Sequence, residues 1–429
     1  MRMHFRITGL SLLSILALSA VIHAHPAKAS ETEEHPVRMA LETWTYANWQ
    51  TPRMESLLNP ENRLARLPAN EQTIEARFDA RLTTEASEFV VRTRTLKQRK
   101  ENDSDTQISG DAYVSQGFAR VNVNSEFKAI AGRELLTWGP GNFRSPSNPF
   151  YFDAGRTQPL LELSGIDLAR IHYIDSHGGA TAGYVFDAGH LTGKPDYRDT
   201  VFLKYDYRGG DFLVSGNLSK QKNHAAFIGG FGQWNLDDAI LLYGELGSGE
   251  RPTSLEPYSS SADTSFSLQQ PSPREISLLL GTSYTLLNGQ VLSLEYLYEG
   301  HGFSSTQERQ YFQRVREANL QLHDPSGAAR GNALTTIGMA LSQAPALLGR
   351  DYLSVMWQSN PQESNLYWRL QSAGNFNDRS TQSSLYVEKN ISSRISFFCL
   401  FTLNAGGRES EYGALLRHAG TVGIKLFLI

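Results

Sequence analysis

Residues 71–83 read EQTIEARFDARLT, with an apolar side chain at every second position from Ile74. Ile74, Ala76, Phe78, Ala80 and Leu82 share one face of an extended chain, and Thr73, Glu75, Arg77, Asp79, Arg81 and Thr83 share the other, because successive side chains of a strand point to opposite faces. In a soluble protein that apolar face needs a second layer to cover it. A membrane-spanning strand needs none, since lipid meets the apolar face and the lumen meets the polar one.

The same alternation returns to the end of the chain. Val201, Leu203, Tyr205 and Tyr207 oppose Lys204, Asp206 and Arg208, and Leu292, Leu294, Tyr296 and Tyr298 oppose Ser293, Glu295 and Glu299. Leu366, Trp368 and Leu370 oppose Tyr367, Arg369 and Gln371. Ile395, Phe397, Cys399, Phe401 and Leu403 form a further apolar face, so the single cysteine reads as a lipid-facing filler. Strands are expected near 37–47, 71–84, 88–98, 107–117, 125–137, 165–174, 179–188, 199–208, 211–219, 224–234, 239–248, 274–286, 290–299, 349–358, 364–373, 381–389, 394–404 and 419–429. The prediction is an all-β fold, a transmembrane antiparallel β-barrel of about 18 strands, or about 16 if a weak hairpin at 224–248 or 107–137 drops out.

Connection lengths support the barrel independently. Counting back from Ile429, the segments 390–393, 359–363, 287–289, 235–238, 209–210 and 175–178 are short, whereas 405–418, 374–380, 300–348, 249–273, 189–198, 138–164, 99–106 and 48–70 form a longer set, with the turn around Lys222 as its exception. Outer-membrane barrels alternate short periplasmic turns with longer extracellular loops in this way. Tyr173, Tyr207, Tyr298 and Trp357, near strand ends, suit the aromatic girdles of such a barrel.

Composition narrows the function. The 429 residues are 40% hydrophobic and 20% charged, with 36 Gly and one Cys, which excludes collagen, disorder and a disulfide scaffold. Lys plus Arg number 40 against 44 Asp plus Glu, so the basic footprint of a nucleic-acid binder is missing and no nucleic-acid partner is expected. Arg2, His4 and Arg6 precede an uncharged apolar run from Ile7 to Ile22, and Ala27-Lys28-Ala29 is a small-x-small cleavage pattern. Residues 1–29 therefore read as a signal peptide and 30–429 as one outer-membrane barrel domain. After cleavage the chain would reach the outer membrane of a Gram-negative bacterium. Its expected partners are the assembly machinery, outer-membrane lipid and lipopolysaccharide, and a small polar solute or surface polysaccharide. No later segment has enough consecutive apolar residues for a transmembrane helix.

The least strand-like segment is 132–167. Trp138-Gly139-Pro140-Gly141 is followed by Arg144, Ser145, Asn148 and Pro149, then by Asp153 and Arg156. Long, turn-rich connections are functional or disordered, and this one is expected to fold into the barrel as a constriction over 139–158. The alternative is a loop packed on the rim. W-G-P-G with the following Ser and Asn-Pro resembles the motif of the capsule-assembly outer-membrane barrels, the Wzi family. The spacing from Gly132-Arg133 to Trp138-Gly139 is similar to that of alginate-type and related carbohydrate porins. These resemblances imply an 18-stranded barrel and bring surface polysaccharide into view as a partner.

Facing assignments direct Arg77, Arg81, Arg92, Arg94, Arg133 and Arg170 inward from early strands, with Glu295, Glu299 and Glu388 inward from the opposite wall. A basic wall facing an acidic one favours anionic solutes, unless Glu75 and Asp79 pair the arginines locally. Residues 305–323 read as a loop helix capping the mouth or packing on other loops, with Ser305 and Glu308 as a capping box and a stripe of Tyr311, Phe312, Val315 and Leu322. No G-x-S-x-G, H-E-x-x-H or P-loop is present, and the histidines lack metal-ligand spacing. His172, His177 and His190 are expected as turn histidines rather than a convergent site. The reading is therefore no enzyme, no catalytic residues, no metal and no cofactor, but a porin-like channel for passive diffusion of small polar solutes, anionic or carbohydrate ones among them. The alternatives are a capsule or surface-polysaccharide assembly barrel with a plugged lumen and, behind it, an outer-membrane hydrolase.

Overall fold

The computed structural model describes residues 36–102, 105–189, 197–251, 253–256, 266–322, 327–360 and 365–429. The predicted signal peptide and His190 lie outside them. Eighteen strands close into one antiparallel sheet. They are β1 (Val37–Pro52), β2 (Asn70–Thr83), β3 (Ser87–Asn102), β4 (Asp105–Asn122), β5 (Phe127–Glu134), β6 (Ile166–Ile174), β7 (Gly178–Asp187), β8 (Thr200–Gly209), β9 (Phe212–Gln221), β10 (Phe227–Asn235) and β11 (Ile240–Gly249). A small extramembrane hairpin of β12 (Ser254–Glu256) and β13 (Ser267–Gln269) intervenes. The wall resumes with β14 (Glu275–Thr285), β15 (Val291–Glu299), β16 (Asp351–Gln358), β17 (Leu366–Asn375), β18 (Ser380–Ser392), β19 (Ile395–Ala405) and β20 (Leu416–Phe427). Every wall strand pairs with its sequence neighbour, and β1 joins β20 in a ladder from Glu42↔Phe427 to Thr51↔His418, leaving no free edge.

The barrel is inside-out relative to a soluble core. On β8, Val201 and Leu203 are each 52% exposed, while their polar neighbours Thr200 and Lys204 are 4% and 8% exposed. The same inversion holds on β2, where Ile74 and Leu82 face out and Thr73 and Glu75 are buried within. Only a nonpolar solvent makes that arrangement stable, so this outer face is the lipid-facing one. Cys399 lies on it with Phe397 and Phe401, in the ladder position opposite Val422. Near the short-turn edge the aromatic pairs Phe127–Tyr173, Tyr207–Phe212 and Trp357–Trp368 have ring centroids 5.0, 5.9 and 5.0 Å apart, an arrangement that suits a girdle.

All the predicted strands are present, with shifted ends. Two connections expected to be long are not. The β3–β4 ladder continues to Asn102↔Asp105, and β17 and β18 are joined by 376–379 alone. The extension of β3 is charged on both faces because it projects into water, so hydrophobic alternation could not reveal it.

The 300–350 loop carries two helices, α1 (Ser305–Gln321) and α2 (Gly327–Gln343). The cap of α1 is Ser304 with Gln307, not Ser305 with Glu308. That one-residue shift turns Glu308 to the buried face with Tyr311, Phe312, Val315 and Ala318. The sequence GAARGNALTTIGMALSQ of α2 has no sharp apolar stripe, and tertiary packing rather than amphipathicity decides its helix. The helices share an apolar cluster with Leu57 and Leu58 of the β1–β2 loop, Leu255 of β12, Phe266, and Ala414 of the β19–β20 loop. The β1–β2 and β11–β14 connections leave the rim on opposite sides, so the helix pair spans the mouth.

Candidate functional site

After Glu134 the chain leaves the wall and does not rejoin it until Ile166. Between those points it crosses the lumen and touches wall strands on several sides, among them β3, β4, β9, β11, β15 and β17. The first anchor is Glu245 of β11, buried to 2% exposure. Its Oε1 accepts from the Gly141 amide at 2.6 Å, and its Oε2 accepts from the Ser147 hydroxyl at 2.7 Å and amide at 3.2 Å. The Ser145 hydroxyl lies 2.7 Å from Oε2 and 2.8 Å from the Trp138 carbonyl. The second anchor is Glu295 of β15, which accepts from the Asn142 and Phe143 amides at 2.6 and 2.7 Å and from the Tyr243 hydroxyl at 2.7 Å. Carboxylates accepting several N–H and O–H donors make the stronger class of hydrogen bond. Further round the wall, Arg369 and Gln371 of β17 donate to the Arg156 and Thr157 carbonyls at 2.6 and 2.5 Å. On the return, Glu162 meets Arg94 of β3, and Ser115 of β4 donates to it at 2.9 Å.

The W-G-P-G turn fits this approach. A Cβ on Gly139, whose φ is +80°, would stand 2.4 Å from both Glu245 oxygens. A Cβ on Gly247 of β11 would meet the Pro146 carbonyl oxygen at 1.9 Å, so the wall strand also lacks a side chain where the segment crosses. Arg156 clips the turn from within, donating to the Gly141 and Gly139 carbonyls at 2.8 and 2.9 Å. Asn148 donates to the Leu136 carbonyl at 2.8 Å and accepts from the Phe150 amide at 3.0 Å. Trp138 packs edge-on against Phe150 and Phe202 at 5.6 Å, beside buried Tyr151 and Leu168. Arg144 and Asp153 are an ion pair at 3.4 Å. Pro140 and Pro149 line different cavities of the lumen. Hence the segment expected over 139–158 is inside the barrel and spans 135–165.

The arginines expected to form a bare basic ladder are compensated. Arg77 pairs with Glu75 at 2.9 Å, Arg92 with Asp79 at 3.4 Å, and Arg94 with Asp79 at 2.6 Å and with Glu162. Arg81 meets Glu88, Arg133 is bidentate to Asp167 at 2.7 and 2.8 Å, and Arg170 is bidentate to Glu134 at the same distances. Each of these six arginines thus has a carboxylate partner. The acidic residues are likewise engaged: on the opposite wall Glu295 holds the segment and Glu299 meets Arg251 at 2.8 Å and the Ser277 hydroxyl at 2.9 Å, whereas Glu388, expected there too, lies on β18 only four strands from β2 and meets Lys425 at 2.8 Å.

Glu245 is the residue that sequence reasoning missed. In GELGSG it has the ordinary alternation of a lumen-facing carboxylate, and only the folded segment gives it its donors. His172 and His177 do not converge: His172, expected in a turn, is a wall residue of β6 with Nδ1 2.8 Å from the Thr181 hydroxyl, and only His177 lies in a turn, its Nδ1 2.9 Å from the Ser176 hydroxyl. No cluster of three potential metal ligands occurs among the described residues.

Beside the segment, a cavity of 360 Å³ is lined by Arg144, Thr157 and Gln158 on one side and by Ser354, Gln371, Gln382, Ser384 and Thr402 on the wall. Apart from Arg144, that lining is uncharged.

Fold and site together define a transmembrane β-barrel with an inward-folded segment pinned across its lumen. Among solved structures of similar fold are two bacterial proteins. One is Pseudomonas aeruginosa OccK7 (OpdD), with a TM-score of 0.52 at 9% identity over 91% of this chain and 98% of that one. The other is Pseudomonas aeruginosa OccD3 (OpdP), with a TM-score of 0.50 at 9% identity over 92% of each chain. At that identity the likeness is one of fold. No protein-family model matches the chain, and no curated protein matches it.

Proposed function

We propose that this protein is an outer-membrane channel through which small polar solutes diffuse past the segment 135–165. The observation that carries the reading is the pinning of that segment by Glu245 and Glu295, which fixes a narrowing inside a wall whose inward side chains are polar. Mechanism here is filtering by size and hydrogen bonding. The hydroxyl and amide lining of the 360 Å³ cavity offers donors and acceptors to uncharged solutes such as carbohydrates, while the paired arginines leave little net field to prefer anions. Arg77, Arg81, Arg92, Arg94, Arg133 and Arg170 then serve mainly to stiffen the wall.

One observation favours the second reading, a plugged barrel that handles surface polysaccharide: the helix pair closes an apolar cluster over the mouth. Single-channel recording of the refolded mature chain in a planar bilayer separates the two. Discrete conductance steps, blocked in a concentration-dependent way by a small neutral sugar, are expected of the channel. A folded barrel that stays silent, and begins to conduct only when 305–343 is removed, would transfer the function to the plugged reading.

A further inference from the structure

The lipid-facing surface is uneven at one place. Two outward rows cross six adjacent strands in register. One runs Cys399, Val422, Ala47, Gln72, Arg99, Ile108, and the other runs Phe397, Ile424, Thr45, Ile74, Lys97, Gly110. The small side chains Thr45 and Ala47 lie between larger ones, and a groove of 560 Å³ is recessed there, with Phe397, Val422 and Ile424 toward one end and Lys97 and Arg99 toward the other.

The ends sit at different depths. Phe397 is two residues into β19, next to the short-turn edge, whereas Lys97 is ten residues up β3 from Ser87. At about 3.3 Å per residue and a tilt of about 40°, ten residues climb roughly 25 Å, the height of the apolar band. Lys97 therefore stands at the boundary on the long-loop side, where acyl chains give way to headgroups. It is exposed and makes no ion pair among the described residues. Arg99, beside it, shares Glu101 at 2.7 Å and remains half exposed.

We propose that this groove is a binding site for a phosphorylated, multiply acylated lipid of the outer leaflet, of the lipopolysaccharide class. Acyl chain fills the apolar floor over Thr45 and Ala47, and phosphate meets Lys97 and Arg99. Charge complementarity selects this occupant: a neutral lipid leaves Lys97 without a counterion at the edge of a low-dielectric region, and a free phosphate leaves the apolar floor empty. The inference rests on the outer-membrane placement proposed above but not on conduction, since none of these side chains enters the lumen.

The test is native mass spectrometry of the refolded mature chain in detergent, titrated with bisphosphorylated lipid A, with the same lipid after dephosphorylation, and with inorganic phosphate. A one-to-one adduct with the phosphorylated lipid is expected. Its apparent affinity should fall at least tenfold in Lys97→Ala/Arg99→Ala, and similarly in Thr45→Trp, which fills the floor while keeping both charges. Heat-modifiable migration on gels verifies that each variant is folded. Equal binding of the dephosphorylated lipid, binding of phosphate alone, or unchanged binding by the variants would each overturn the site. So would a chain dimer that Thr45→Trp disrupts, because the groove would then belong to a second copy. Conductance reads the channel and adduct mass reads the groove, so either can fail alone.

Discussion

Glu245 has few substitutes at its position. Gly141, Ser145 and Ser147 supply its neutral donors, and a buried donor left without an acceptor costs about 1–3 kcal/mol. Glu245→Ala should therefore free the middle of the segment while the wall ladder to β10 and β14 persists. The expected outcome is a larger, noisier single-channel step and new protease cleavage between 139 and 158. An unchanged step would show that Glu295 and Arg369 hold the segment by themselves. Arg94 gives a different prediction. Arg94→Gln leaves Asp79 and Glu162 as carboxylates without their strongest partner, so the reversal potential under a salt gradient should move toward cation preference. An unchanged reversal potential would mean that Arg92 and Arg77, at 3.4 and 3.7 Å from Asp79 and Glu162, neutralise those carboxylates by themselves.

At the scale of elements, neighbouring positions of one strand should respond in opposite ways. Leu294 faces lipid at 44% exposure, while Ser293 is buried in the lumen with its hydroxyl 2.7 Å from that of Ser283. Leu294→Arg should cost about 2–4 kcal/mol of folding stability in bilayers, and Ser293→Ala should fold nearly as well as the parent. Equal effects, measured by urea titration in lipid vesicles, would contradict the assigned facing. The loop helix α1 makes a pH prediction. Burial and the neighbouring Asp378 carboxylate, with Glu411 beyond it, push the Glu308 pKa up to about 9. The folded state thus holds the proton more tightly than the unfolded one. The docking contribution is complete below the ordinary carboxyl range, near 4.5, and is lost as pH rises through about 9. Hydrogen exchange over 305–321, corrected for intrinsic rate, should quicken between pH 6 and 9 in the parent, values chosen to bracket about the upper half of that window. Glu308→Gln should remove this dependence, and a dependence that survives it would assign the effect to another group.

The whole molecule has two obstructions in series, the pinned segment inside and the helix pair over the mouth. Deleting 142–158 should raise conductance markedly in a chain that still folds. Deleting 305–343 should change access and blocking rates more than the open step, because the helices lie outside the wall strands. If only the second deletion matters, the narrowing belongs to the mouth.

Much of the barrel was legible at residues such as Ile74 and Glu75 because lipid imposes a two-residue period on every crossing strand, and that period is a local property of the chain. The rigid, turn-rich character of 138–149 was legible for the same reason, since proline and glycine act on their own backbone. Less was legible where the cause lay elsewhere in the chain. Glu245 in GELGSG looks like any lumen carboxylate until Gly141 and Ser147 arrive from about a hundred residues away. The arginines looked like a ladder until Glu162 and Asp167 were placed beside them. Sequence by itself determined the period, and hence the strands, their facing and the closed sheet. Only the tertiary structure decided which charges neutralise one another and where the inward segment is held, because those energies depend on distances between residues far apart in the chain.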